Sequence, residues 1–165
     1  MTDRAPAYSR EQIEALFLDA ARDGQVDLLS AFLDAGLSPD VRDSRGYCAL
    51  LLAAYNEQLE AVRLLLERGA QVDLRDAKGA TALGGVAFKG YVEIARALLD
   101  GGAAVDAAND MGRTPLMFAL MFGRDEMARV LIDHGANLDL KDGEGHSARD
   151  IAHRQGLSAL IGHRD

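Results

Sequence analysis

Asn109-Asp110-Met111-Gly112-Arg113-Thr114-Pro115-Leu116 is the stretch that decides the fold. It reads as a tight polar turn feeding straight into a helix. Thr114 can cap that helix, and Pro115 suits its first turn, where no amide donor is lost. An apolar helix continues to Met121, Gly123 interrupts it, and a second helix ends before Gly135-Ala136. Outward from this unit the glycines keep a fixed stride. Gly36, Gly69, Gly102 and Gly135 are 33 residues apart, and Gly46, Gly79, Gly112 and Gly145 keep the same stride ten residues later. Such a period predicts stacked repeats, in which no unit buries its apolar face alone.

The register divides the 165 residues, read as one domain (1–165), into five units. An N-terminal capping repeat spans 9–42, full repeats span 43–75, 76–108 and 109–141, and a truncated C-terminal capping repeat spans 142–165. The expected fold class is an all-α repeat solenoid of helix-turn-helix units with short β-hairpin-like loops. Gly36, Gly69, Gly102 and Gly135 sit where a helix C-terminus needs a left-handed residue. Ala53, Ala87 and Ala119 are small enough for first helices to pack closely, and Leu65-Leu66, Leu98-Leu99 and Leu131-Ile132 put bulk on the second helices. Ser9 and Gln12 have capping-box spacing, opening a helix expected to face Ile13, Leu16 and Phe17 inward. Arg149, Asp150 and His153 replace apolar residues in the last unit, which predicts a wet outer face.

The Gly-x-Thr-Pro-Leu opening, the mid-repeat glycine and the Gly-Ala pair closing the second helix resemble the ankyrin repeat over most of the chain. Three departures stand out. Cys48-Ala49-Leu50-Leu51 and Thr81-Ala82-Leu83-Gly84 replace the usual Thr-Pro-Leu-His, and Glu57 replaces a mid-repeat glycine. Gly84-Gly85 places two helix-weakening residues inside one short helix, at a cost of roughly 1 kcal/mol each against alanine. Close packing between helices is the favoured reading of that pair; a soft spot or a ligand approach is the other.

Composition narrows the function classes. A net charge of −8 disfavours nonspecific binding to nucleic acid. The only cysteine, Cys48, cannot form an internal disulfide and stands at a helix-cap threonine position, so a structural role is expected. The first ten residues carry charge and no apolar run, and no later segment reaches the ~20 apolar residues of a membrane span. The expected setting is cytoplasmic, with no membrane or nucleic-acid partner. Enzyme and metal motifs are missing, and the four histidines (His134, His146, His153, His163) all fall in the last third. No catalytic residue, no metal site and no enzyme activity are expected.

The resemblance implies a concave surface, built from hairpin tips and the ends of first helices, where a protein partner docks. Carried over residue by residue, the candidate binding positions are Arg42, Arg45, Tyr47, Tyr55, Asn56, Arg75, Lys78, Phe88, Lys89, Met111, Arg113, Met121 and Phe122. Tyr55, Phe88 and Met121 are equivalent in three successive repeats, and four of the nine aromatics (Tyr47, Tyr55, Phe88, Phe122) lie on this face. Aromatic, methionine and arginine side chains are the types enriched at interface hot spots. Asp40, Asp43, Asp73, Asp76, Asp106, Asp139 and Asp142 share the hairpins with the cations, so the rim reads as mixed charge, not as a basic patch. The expected function is a monomeric, non-enzymatic adaptor or accessory protein.

Leu83-Gly84-Gly85-Val86-Ala87-Phe88-Lys89-Gly90-Tyr91, Phe118-Ala119-Leu120-Met121-Phe122-Gly123 and Ala53-Ala54-Tyr55-Asn56 are similar to small bacterial ankyrin proteins associated with catalases. That similarity implies an accessory factor supporting a catalase, with haem binding or delivery as a further implication. Tyr55 would then be the haem's axial oxygen ligand beside Phe88 and Met121, with Arg22 or Arg42 facing a propionate. No cofactor is expected on the plain protein-binding reading, which is favoured. An inhibitor or immunity-type protein is the weaker alternative.

Overall fold

The computed structural model describes residues 7–162, and within them nine α-helices run in sequence. Helices α1 (Arg10–Asp23) and α2 (Val26–Asp34) form the first pair, and α3 (Ala49–Tyr55) and α4 (Leu59–Glu67) the second. Then come α5 (Ala82–Lys89) with α6 (Val92–Asp100), α7 (Pro115–Met121) with α8 (Asp125–Asp133), and a lone α9 (Ala148–Arg154). Odd-numbered helices pack on one another in one row, and α2, α4, α6 and α8 pack in a second. The expected all-α solenoid is what forms.

Side-chain size explains the two rows. Ala20, Ala53, Val86, Ala119 and Ala152 recur at one register position and are fully buried, so first helices approach closely. Ala87, one residue further along, is buried too. In the second row Leu65, Leu98 and Leu131 are fully buried, each worth about 1.5–3 kcal/mol, whereas Leu66, Leu99 and Ile132 are half-buried.

Each turn of the chain has its own hydrogen-bond logic. Thr81 and Thr114 cap α5 and α7 by accepting from Gly84 and Met117 amides at 3.3 Å. Ser9 with Gln12, and Ser147 with Asp150, form reciprocal capping boxes on α1 and α9. At the end of α2 the Leu37 amide reaches the Phe32 carbonyl and Gly36, with φ 96°, reaches Leu33. That pairing closes the last helical turn and recurs at Gly69, Gly102 and Gly135.

Between pairs, Asp43, Asp76, Asn109 and Asp142 each accept two amides of their own tight turn, at 2.9–3.0 Å. Asp40, Asp73 and Asp106 reach across instead, accepting the amides of Gln71, Ala104 and Asn137 in the next repeat. Asp139 pairs with Arg149 at 2.8 Å. The hairpin acids are therefore largely frame, and successive units are tied by backbone as well as by core.

The ends differ from expectation at one point. Phe17 is buried, and Ile13 half-buried, but Leu16 is 43% exposed. Its register equivalent, Ala49, is buried by the repeat before it, and no described repeat precedes α1. At the far end Asp150 and His153 are exposed and Arg149 half-buried, giving the wet face expected there. His163 lies outside the described residues.

Candidate functional site

Arg42 and Arg75 work as staples of the frame. Nη1 of Arg42 donates to the carbonyls of Gly46 and Arg75, and Nη1 of Arg75 donates to those of Gly79 and Ala108. Hairpin carbonyls outside any sheet need donors, and these guanidinium groups supply them across one repeat step. Both residues stay exposed, so each guanidinium is tied to the frame through Nη1 while remaining at the surface. The series stops at Ala108. There the neighbouring hairpins join through a backbone bond, Gly143 amide to Met111 carbonyl at 2.8 Å, with Arg113 facing Asp142 at 3.9 Å.

A second frame device closes the first helices. The carbonyls of Arg22, Tyr55, Phe88 and Met121 are register equivalents at the C-terminal ends of α1, α3, α5 and α7. They receive Gln58, Lys89, Arg124 and Gln155 side chains respectively, at 3.1, 2.8, 3.1 and 3.4 Å. Each donor comes from the following repeat, and two are cations at a helix C-terminus, where the macrodipole favours them. Sequence reading missed this clamp because its donors alternate between two positions two residues apart, so no single stride reveals them.

The equivalent row Tyr55, Phe88 and Met121 does not present three alike side chains. Phe88 is 41% exposed, whereas Tyr55 and Met121 are half-buried. Tyr55 leans into α5 because Gly85 has no side chain there: a Cβ on Gly85 would sit 2.0 Å from the Tyr55 ring. Its hydroxyl lies 3.4 Å from both Asp76 Oδ2 and the Thr81 carbonyl. Close packing is thus the role of Gly85. Gly84 is different: a Cβ there meets nothing nearer than Thr81 Oγ1 at 3.8 Å.

Beside Gly84-Gly85 a groove of 320 Å³ opens, lined by Tyr55, Lys78, Ala80, Gly84, Gly85, Phe88, Lys89, Asn109 and Phe118. Phe88 meets Phe118 edge-on at 6.5 Å between ring centroids and Phe122 at 4.5 Å. Phe122 is 47% exposed, so the aromatic wall continues onto open surface. Lys78 and Lys89 are exposed at the margin. Phe118 was not among the expected site residues; the signal for it was a large ring at the register position of Gly85.

The remaining candidates scatter around this groove. Arg45 lies over the Tyr47 ring at 5.2 Å, and Tyr47 meets Tyr55 edge-on at 6.2 Å. Asn56 turns back to its own helix, donating to the Leu52 carbonyl at 2.8 Å. Met111 is 52% exposed, and half-buried Arg113 faces Asp142 at 3.9 Å. Met121 lies on the far side, in a second cleft of 220 Å³ that also holds Arg113, Asp142, Glu144, His146, Ile151, Arg154 and Gln155.

Tyr55 is not presented as an open ligand: burial, then the Asp76 charge, pushes its phenol well above the ordinary value. The hydroxyl also already faces two acceptors, and Arg42 is committed to carbonyls. Among the described residues no cluster of His, Cys, Asp or Glu is placed to hold a metal ion. Cys48 is buried, makes no side-chain cap bond, and its thiol is pushed up by desolvation. No helix among the described residues is long and apolar enough to cross a membrane.

A family model for ankyrin repeats (3 copies) matches residues 7–76 and 69–142. The chain belongs to the ankyrin-repeat family. Comparison with curated proteins finds no match, so the similarity of its middle repeats to catalase-associated proteins has no relative behind it. Ankyrin repeats are generally protein–protein interaction modules, and the family is typically non-enzymatic.

Proposed function

We propose that this chain is a non-enzymatic docking module whose partner protein sits on the concave face, centred on Phe88 and Phe122. The observation that carries the reading is that pair of rings. They lie 4.5 Å apart, are 41% and 47% exposed, and no frame contact explains leaving both open to water. Exposed aromatic surface next to a groove is what a partner desolvates most profitably. Tyr55 lines the same groove, and Met111 is a further exposed apolar side chain at a hairpin tip.

The buried single cysteine supports a cytoplasmic setting. The polar outer face of the last unit supports action as a monomer, because it disfavours end-to-end stacking. A catalase is one partner the sequence similarity implies, and nothing in the groove's geometry selects it.

The test is capture from the native cell with the intact chain and with a Phe88→Ala, Phe122→Ala variant. Both substitutions remove exposed rings, so the variant is expected to keep its unfolding midpoint while losing the captured partner. A variant that retains the same partner at the same yield would overturn the reading.

A further inference from the structure

We infer that the groove beside Gly84-Gly85 takes an acidic segment of the partner, with one bulky apolar side chain inserted between Tyr55, Phe88 and Phe118, an inference that rests on the docking reading above. Two independent features select that chemistry. The first is shape. Leu51 and Met117 fill the register position of Gly84 in the neighbouring repeats, and both are fully buried there. With glycine in their place the helix surface recedes, and the 320 Å³ left open is at the small end of the roughly 300–1,000 Å³ typical of ligand clefts. One aromatic or branched aliphatic side chain is the scale of occupant such a groove encloses.

The second feature is charge. The chain carries −8 overall, yet this groove's lining holds two lysines and no carboxylate. Three other clefts, of 220, 420 and 440 Å³, have acids in their walls: Asp142 and Glu144 in one, Glu11 and Glu14 in another, Glu93 and Glu126 in a third. Outside the lining, Asp76 accepts the amides of Lys78 and Ala80 on Oδ1 and the Tyr55 hydroxyl on Oδ2 at 3.4 Å, and Asp110 lies against Gly79. Lys89 is held at the mouth by its bond to the Tyr55 carbonyl at 2.8 Å, which leaves two ammonium protons for an incoming carboxylate. Lys78 makes no ion pair among the described residues. On an otherwise acidic molecule, two cations beside an aromatic wall, one of them held in place, attract an acidic chain and repel a basic one.

The probes are three fluorescein-labelled pentapeptides: a central phenylalanine between acidic pairs, the same with lysine pairs, and the acidic peptide with alanine at the centre. Fluorescence anisotropy against the full chain is expected to show saturable binding of the first alone, weakened by added salt. Lys78→Glu is expected to weaken it by about tenfold. Gly84→Leu, which fills the groove with the side chain found at position 51, is expected to abolish it with the fold retained. Equal binding of the lysine peptide, or full binding by both Lys78→Glu and Gly84→Leu, would overturn the inference. If the acidic peptide fails to bind while capture still depends on Phe88 and Phe122, the acidic-anchor inference falls and the docking reading stands. If capture is also indifferent to those rings, both fall.

Discussion

Glu57 is the one non-glycine residue with positive φ among those described, at 60°, and it stands where Gly24, Gly90 and Gly123 stand in other repeats. A side chain in the left-handed region costs about 1–2 kcal/mol, and glycine returns part of that as extra chain entropy in the unfolded state. Glu57→Gly is therefore expected to stabilise the chain by about 1 kcal/mol, read as a higher urea midpoint with an unchanged slope. A lower midpoint would mean that the Glu57 side chain makes a compensating contact. Glycines that break the rule are as informative as the residue that replaces one. Gly85 makes room for a ring, whereas Gly84 meets no obstacle and opens a groove, a distinction that neighbouring letters in a sequence do not carry.

The hairpin elements offer a comparison within one molecule. Asn109 and Asp142 make the same pair of turn bonds in successive hairpins, but only the aspartate titrates. Those bonds, that from the His146 amide first, hold the Asp142 carboxyl below its ordinary value; bonds from Ser147 do the same for Asp150. Carboxyls lowered by folding contribute stability that is present above about 3.9 and is lost as the pH falls through their folded values. As the pH drops below about 4, the amides of Glu144 and His146 are expected to lose hydrogen-exchange protection before those of Met111 and Arg113. Simultaneous loss in both hairpins would contradict this ordering. Helix starts, helix stops and the two-row stack were legible in the sequence because caps, glycines and buried leucines all repeat on one stride. The carbonyl clamp of Gln58, Lys89, Arg124 and Gln155 was not, since different side chains reach the same acceptor from two positions.

At the scale of the whole molecule, stability is a sum of neighbour terms: core contacts, the Asp40, Asp73 and Asp106 cross-bonds, and the Arg42 and Arg75 staples. A frame this regular leaves function to the side chains it does not use. The sequence singled out Phe88, Lys78, Lys89 and Phe122, which line or flank the groove on which the docking proposal rests. It did not show that Arg42 and Arg75 also bond to carbonyls or that Tyr55 leans into α5, because the Ala108 carbonyl and the gap at Gly85 lie a repeat away. Among the described residues, the surface that the frame leaves exposed includes an aromatic groove with lysines at its mouth. Chemical-shift mapping of the captured partner on the isotope-labelled chain measures this most directly. The largest shifts are expected at Lys78, Gly85, Phe88, Lys89 and Phe122; shifts confined to α4, α6 and α8 would contradict the concave docking site.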